Sequence, residues 1–197
     1  MKVAIIDYNA GNVQSVLFAL QRLGVEALLT KDPAAIRGAE KVIFPGVGEA
    51  STTMDYLRSH QLDQLIRSLR QPVLGVCLGM QLLCEHSEEN DTPCIGVFPE
   101  RVRRFIPQQP AQKVPHMGWN SLDQIEAEGF IDPALQREYV YFVHSYYVEL
   151  GPHTIARSDY IHPFSAAIQK DNFFATQFHP EKSGSIGERL LRNFLAQ

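Results

Sequence analysis

The chain has 197 residues, 45% of them hydrophobic and 20% charged, with 18 lysines and arginines against 22 aspartates and glutamates and a formal net charge of -4. That length suits one domain with a sizeable core, and the mildly acidic balance leaves no basic footprint for nucleic acid or an anionic membrane. Cys77, Cys84 and Cys94 are odd in number and lack Cys-x-x-Cys spacing, which argues against a disulfide framework and against a metal site. A single domain over residues 1–197 is expected. It is expected in the cytoplasm, because Met1-Lys2-Val3-Ala4-Ile5-Ile6-Asp7 is too short and too soon interrupted by Asp7 to be a secretory signal or a membrane span.

Residues 2–7 read as a first buried strand, and Tyr8-Asn9-Ala10-Gly11-Asn12 as a turn with Asn12 placed to cap the next helix. Val13, Val16, Leu17, Leu20 and Leu23 then fall at helical spacing, with Gly24 as the stop. Residues 25–30 are the next strand, Asp32-Pro33 opens a short helix that ends at Arg37, and residues 41–44 make a third strand. This alternation predicts an open, largely parallel sheet covered by helices on both faces, an α/β fold that gathers ligands at strand C-terminal ends. Pro45-Gly46-Val47-Gly48 lies at such an end, ahead of a helix over residues 50–60. Its glycines let backbone N–H groups come close to a ligand, although a plain strand-to-helix loop fits equally well.

A helix over residues 62–69 leads to the apolar run of residues 72–76, which ends in Gly75-Val76-Cys77-Leu78-Gly79. Glycines two residues before and two after Cys77 remove the Cβ groups that a sharp strand-to-helix turn would press together. A helix N-terminus favours a thiolate over a thiol. Taken alone, the pattern suits a packed small residue as well as a nucleophile. Beyond it, β-like runs at residues 95–98, 139–148, 154–158, 165–169 and 173–178 predict a mixed or antiparallel extension of the sheet, and residues 186–195 a closing helix. The last run ends in Phe178-His179-Pro180-Glu181. In an extended segment residues two apart project to the same side, so Glu181 can orient His179 while Pro180 ends the ladder. Cys77, His179 and Glu181 thus supply a nucleophile, a base and its orienter.

Gly75 to Gln81, Phe178 to Glu181 and Pro45 to Gly48 together resemble the nucleophile, histidine–glutamate and oxyanion motifs of the class I (triad) glutamine amidotransferases. Asp7 to Asn12, Pro115-His116-Met117-Gly118-Trp119-Asn120 and Tyr141-Phe142-Val143-His144-Ser145-Tyr146 are similar to stretches of one branch of that family, the glutaminase subunits of imidazole glycerol phosphate synthases. Asn9 departs from the glycine more often found there, and asparagine tolerates the left-handed conformation of such a turn.

The resemblance implies hydrolysis of L-glutamine at Cys77 with no cofactor and no metal. It implies an oxyanion site formed by the backbone N–H groups of Val47 and Leu78, and glutamine contacts from Gly46, Gly48, Gln81, Ser145 and Tyr146. It further implies a heterodimer with a (β/α)8-barrel cyclase subunit that takes up the ammonia. Trp119 is the foremost docking candidate, followed by Lys182, Asn12, His116, Asn120, Tyr141 and His144. Glutaminase activity is expected to stay low until the partner and its nucleotide bind, with Pro45 to Gly48 as the switch. Other readings are a glutaminase subunit for pyridoxal phosphate or anthranilate synthesis, a stand-alone γ-glutamyl hydrolase, and a non-enzymatic protein on the same fold. The last would lack a triad residue.

Overall fold

The computed structural model describes residues 1–8, 13–126 and 129–197. Its first half alternates strands and helices: β1 (Val3–Ile6), α1 (Val13–Arg22), β2 (Ala27–Thr30), α2 (Pro33–Arg37), β3 (Lys41–Phe44), α3 (Ala50–Ser59), α4 (Leu62–Ser68), β4 (Val73–Val76) and α5 (Leu78–Leu83). Strands dominate the second half: β5 (His86–Ser87), β6 (Thr92–Pro93), β7 (Arg101–Arg104), β8 (His116–Ser121), β9 (Gln124–Ile125), β10 (Tyr139–His144), β11 (Tyr146–Val148), β12 (Thr154–Asp159), β13 (Pro163–Lys170) and β14 (Phe173–Thr176), before α6 (Gly184–Leu195). Among the described residues no helix is long and apolar enough to cross a membrane.

The main sheet runs β2-β1-β3-β4-β14-β13-β11-β7-β5-β6. Pairing is parallel from β2 through β14 and turns antiparallel at β13. β1, β3, β4 and β14 are buried along their whole length, because helices cover both faces; they therefore read as continuous apolar runs rather than alternating ones. One face packs on α1 and α6 through Val16, Leu20, Leu190 and Phe194, the other on α2 to α5 through Ile36, Met54, Leu57, Ile66 and Leu82. Local signals set the helix starts. Asp32 accepts from the N–H groups of Ala34 and Ala35 ahead of Pro33, and Glu49 accepts from those of Ser51 and Thr52.

Two expectations need correcting. Residues 95–98 are not a strand: the N–H groups of Ile95, Gly96, Val97 and Phe98 bond to the carbonyls of Leu82, Cys84 and Leu83, so this apolar run caps the end of α5. The run at 139–148 is broken at Ser145. β10 pairs with β8 in a separate antiparallel ribbon, while β11 joins the main sheet beside β7 and β13. That break lies beside the carboxyl end of the parallel strands, where it walls a cavity.

Candidate active site

Cys77 sits between β4 and α5 at φ 53°, ψ -108°. This left-handed backbone costs an L-residue on the order of 1–3 kcal/mol and persists only where its surroundings hold it. The Cys77 N–H donates to the Thr176 carbonyl at 2.7 Å, and its own carbonyl accepts from the Gln81 N–H at 3.2 Å. The first turn of α5 also lies directly against the end of β3. A Cβ on Gly79 would stand 2.1 Å from the Phe44 carbonyl oxygen, and one on Gly46 2.3 Å from the Gly79 nitrogen. Those two glycines let backbone meet backbone and so seat the elbow.

His179 follows β14, the strand next to β4; Thr176 pairs with Val76, so His179 leaves the sheet just beyond the level of Cys77. Its own N–H donates to the Tyr141 carbonyl, and the Ser183 hydroxyl donates to the His179 carbonyl while accepting from the Tyr141 N–H. The His179 backbone is thereby tied to the ribbon. His179 Nδ1 donates to Glu181 Oε1 at 2.7 Å, both side chains being almost fully buried, and His179 Nε2 has no hydrogen-bond partner. Burial disfavours charge on this ring, yet the negative charge of Cys77 and then the bond to Glu181 outweigh it and raise the pKa to about 10.

Cys77 and His179 both line a cavity of about 340 Å³, together with Val47, Gly48, Leu78, Gln81, Ser145 and Tyr146. Gly46 lies behind this wall, against the first turn of α5. Two residues not anticipated from sequence complete the site. Gln177 donates to Cys77 Sγ at 3.7 Å and accepts from Gln81 Nε2 at 3.0 Å, and Gln81 Nε2 also donates to the Tyr146 carbonyl at 2.9 Å. Glu89 brings a carboxylate to the cavity; burial, reinforced by Glu49, raises its pKa although the Ala50 N–H donates to it. The signal for Gln177 was its place two residues before His179. Glu89 lies in an acidic, polar stretch with no pattern to single it out.

The oxyanion donors do not converge in this conformation. Leu78 N–H donates to the Gly46 carbonyl at 3.4 Å. Gly46 C=O and Val47 N–H belong to one peptide plane and point in opposite directions, so Val47 N–H is turned away from Leu78 N–H. A second cavity of about 270 Å³ lies on the other side of Val47 and Gly48, lined by Tyr8, Thr53 and Tyr56, and the Tyr8 hydroxyl holds the Pro45 carbonyl at 2.5 Å.

The ribbon has two unlike faces. On one, Trp119 is 56% exposed and meets Tyr141 edge to face at 6.0 Å, with Met117 and Tyr139 exposed beside them and Lys182 Nζ 6.0 Å above the Tyr141 ring. His116 and His144 are opposite one another on the inward face and buried, at 4% and 6% exposure, so the expectation that they touch a partner directly is corrected. Strand alternation is the reason: 116 and 144 cannot share a face with 119 and 141. Asn120 is half-buried and donates to the Asp159 carbonyl. Asn9 and Asn12 lie outside the described residues.

The class-I glutamine amidotransferase family model matches residues 4–197. The imidazole glycerol phosphate synthase subunit HisH of Bacteroides thetaiotaomicron is 59% identical over 195 residues, covering 99% of each chain. The HisH subunit of Idiomarina loihiensis is 45% identical, covering 99% of this chain and 97% of its own. Among solved structures, a glutamine amidotransferase superposes with a TM-score of 0.74 at 22% identity over 98% of this chain and 97% of that one. A putative GMP synthase component from Thermoplasma acidophilum superposes with a TM-score of 0.73 at 20% identity, over 100% and 92%. At such identities these two speak for the fold alone. The chain belongs to the class I glutamine amidotransferase family and, within it, to the branch of the imidazole glycerol phosphate synthase HisH subunits.

Proposed function

We propose that this chain is the glutaminase subunit of an imidazole glycerol phosphate synthase, acting in histidine biosynthesis as a single domain in the cytoplasm. The observation that carries the chemistry is that Cys77 and His179 line one cavity while Glu181 holds His179 through its other ring nitrogen. The Cys77 thiolate attacks the side-chain amide carbon of L-glutamine. Its negative oxygen is held by the N–H groups of Leu78 and Val47 once the Gly46–Val47 peptide turns over. The tetrahedral intermediate collapses as His179 protonates the departing nitrogen, so the carbon–nitrogen bond breaks, ammonia leaves and a γ-glutamyl thioester remains. Water, giving a proton to His179, adds to the thioester and releases glutamate and the thiolate. Glu181 holds His179 oriented throughout.

Gln81, Gly48, Ser145 and Tyr146 line the substrate cavity, and the Glu89 carboxylate suits the α-ammonium group of glutamine. The outer face of the ribbon, with Trp119, Tyr141 and Lys182, suits docking of a (β/α)8-barrel cyclase subunit, since large aromatics are common interface anchors. Ammonia passed straight to that partner escapes protonation in solvent. The orientation of the Gly46 carbonyl supports low activity in the free chain, because loss of one oxyanion donor costs roughly 100- to 1000-fold. The test measures glutamate release by the chain alone, with the barrel subunit, and with barrel plus nucleotide. Stimulation in the last case, abolished by Cys77→Ala, is expected; equal turnover in all three would return the reading to a stand-alone hydrolase.

A further inference from the structure

We propose that Asn120, His116 and His144 are positioning residues that fix the Ser145–Tyr146 wall of the cavity; the inference rests on reading that cavity as the glutamine site. His144 Nδ1 lies 2.7 Å from the Tyr146 carbonyl, His144 Nε2 lies 3.0 Å from His116 Nδ1, and His116 Nε2 lies 3.3 Å from Asn120 Nδ2. A carbonyl only accepts, so the proton on His144 is at Nδ1. Phe105, Phe142, Phe164 and Tyr160 surround the two rings and bring no anion, and burial holds both imidazoles neutral. His144 Nε2 is therefore an acceptor, His116 carries its proton at Nδ1, and His116 Nε2 accepts from Asn120. Each donor has one direction open to it.

The chain of bonds starts on β8, whose outer face bears Trp119, and ends on the carbonyl that also accepts from Gln81 Nε2 at 2.9 Å. Two stiff rings thus set the height of Tyr146, and through it the amide of Gln81. The neighbouring Ser145 carbonyl is pinned by the Phe105 N–H at 3.0 Å. None of the three residues needs to touch glutamine for this.

The first measurement is the tautomeric state of both rings in wild-type protein, by long-range nitrogen–proton NMR of histidine-labelled chain at pH 7. Protons at Nδ1 of His116 and His144 are expected; an Nε2 proton on either ring overturns the inference. The second compares glutamine kinetics of wild type, His144→Phe and Asn120→Ala, each with barrel subunit and nucleotide. His144→Phe keeps the aromatic shape and should raise KM about 10-fold, the scale of one hydrogen bond, with kcat little changed. Asn120→Ala, the milder variant if the first folds poorly, should raise it less, and His144→Asn, which keeps a donor near Nδ1, should recover part of the loss. Unaltered KM in both variants, with the wild type active, overturns the positioning role alone. A wild-type complex that releases no glutamate overturns the reading of the cavity and this inference with it.

Discussion

His179 and the His116–His144 pair are all buried against the same short ribbon, yet the pKa of the first is raised and those of the other two are lowered. Burial pushes all three rings toward neutrality. Burial takes His116 down to about 4; it takes His144 down to about 3, the bond to the Tyr146 carbonyl offsetting only part of that cost while the neighbouring His116 and His179 add to it. At His179 the Cys77 sulfur and the Glu181 carboxylate at 2.7 Å reverse the sign and lift the pKa to about 10. A further ring, His153, also pairs with a buried carboxylate, Glu100, at 2.9 Å. Burial therefore decides how much an imidazole's neighbours matter, and the neighbours decide what it does.

The largest effect that could break this comparison comes from removing the anions. Glu181→Gln, which frees the acid–base group His179 from its orienting anion, and His179→Gln, which removes that group itself, should each lower partner-stimulated turnover by roughly 100- to 10,000-fold. In a Cys77→Ala, Glu181→Gln double variant the His179 pKa should drop below the ordinary value of about 6.5, followed by NMR titration, since burial alone then acts. A ring that stays protonated above neutrality would mean that the anions are not the cause.

A smaller but still large effect should come from opening the neutral site. Phe142 stacks on His116 at 4.9 Å, and Phe142→Ala should cost about 3–5 kcal/mol in denaturant unfolding. Water entering the cavity should also raise the His116 pKa toward its ordinary value.

The two sites further predict opposite limbs of stability with pH. His179 has a raised folded pKa, so its contribution is complete below about pH 6.5 and is lost as pH rises through about 10. For His116 and His144 the folded pKa is lowered and the unfolded state binds more protons below about pH 6.5. Their contribution is present above that pH and is lost as pH falls toward about 4 and about 3. His144→Phe should flatten the acid limb between about pH 6.5 and 4, each pKa unit being worth about 1.4 kcal/mol, and leave the alkaline limb alone.

The smallest effect on the chain by itself is expected at the outer ribbon face. Trp119→Ala removes an exposed ring and should change stability by no more than about 0.5 kcal/mol. If Trp119 anchors the barrel, the same change should weaken heterodimer formation by about 30-fold or more, measured by calorimetric titration.

Residues close in sequence determined much of this protein. β1, β3 and β4 were legible as unbroken apolar runs ended by Asp7, Pro45 and the Gly75–Gly79 elbow, because a strand buried on both faces leaves no polar alternation to confuse the signal. The candidate nucleophile, base and orienter were legible for the same reason: a strand-to-helix turn between glycines and a His-Pro-Glu exit are local geometries. The structure decided what depends on contacts between distant segments. Residues 95–98 looked like a strand and cap α5, because unpaired carbonyls at that helix end took their N–H groups first. His116 and His144 shared a motif with Trp119 and Tyr141, and only the pairing of β8 with β10 sent them inward. Gln177 reaches the Cys77 sulfur and Glu89 the cavity only in the fold, and the Gly46 carbonyl turns onto Leu78 only where β3 meets α5. Local sequence can specify a turn or a run of burial, but the direction of a carbonyl or the charge of a buried ring is set by atoms that only folding brings within a few ångströms.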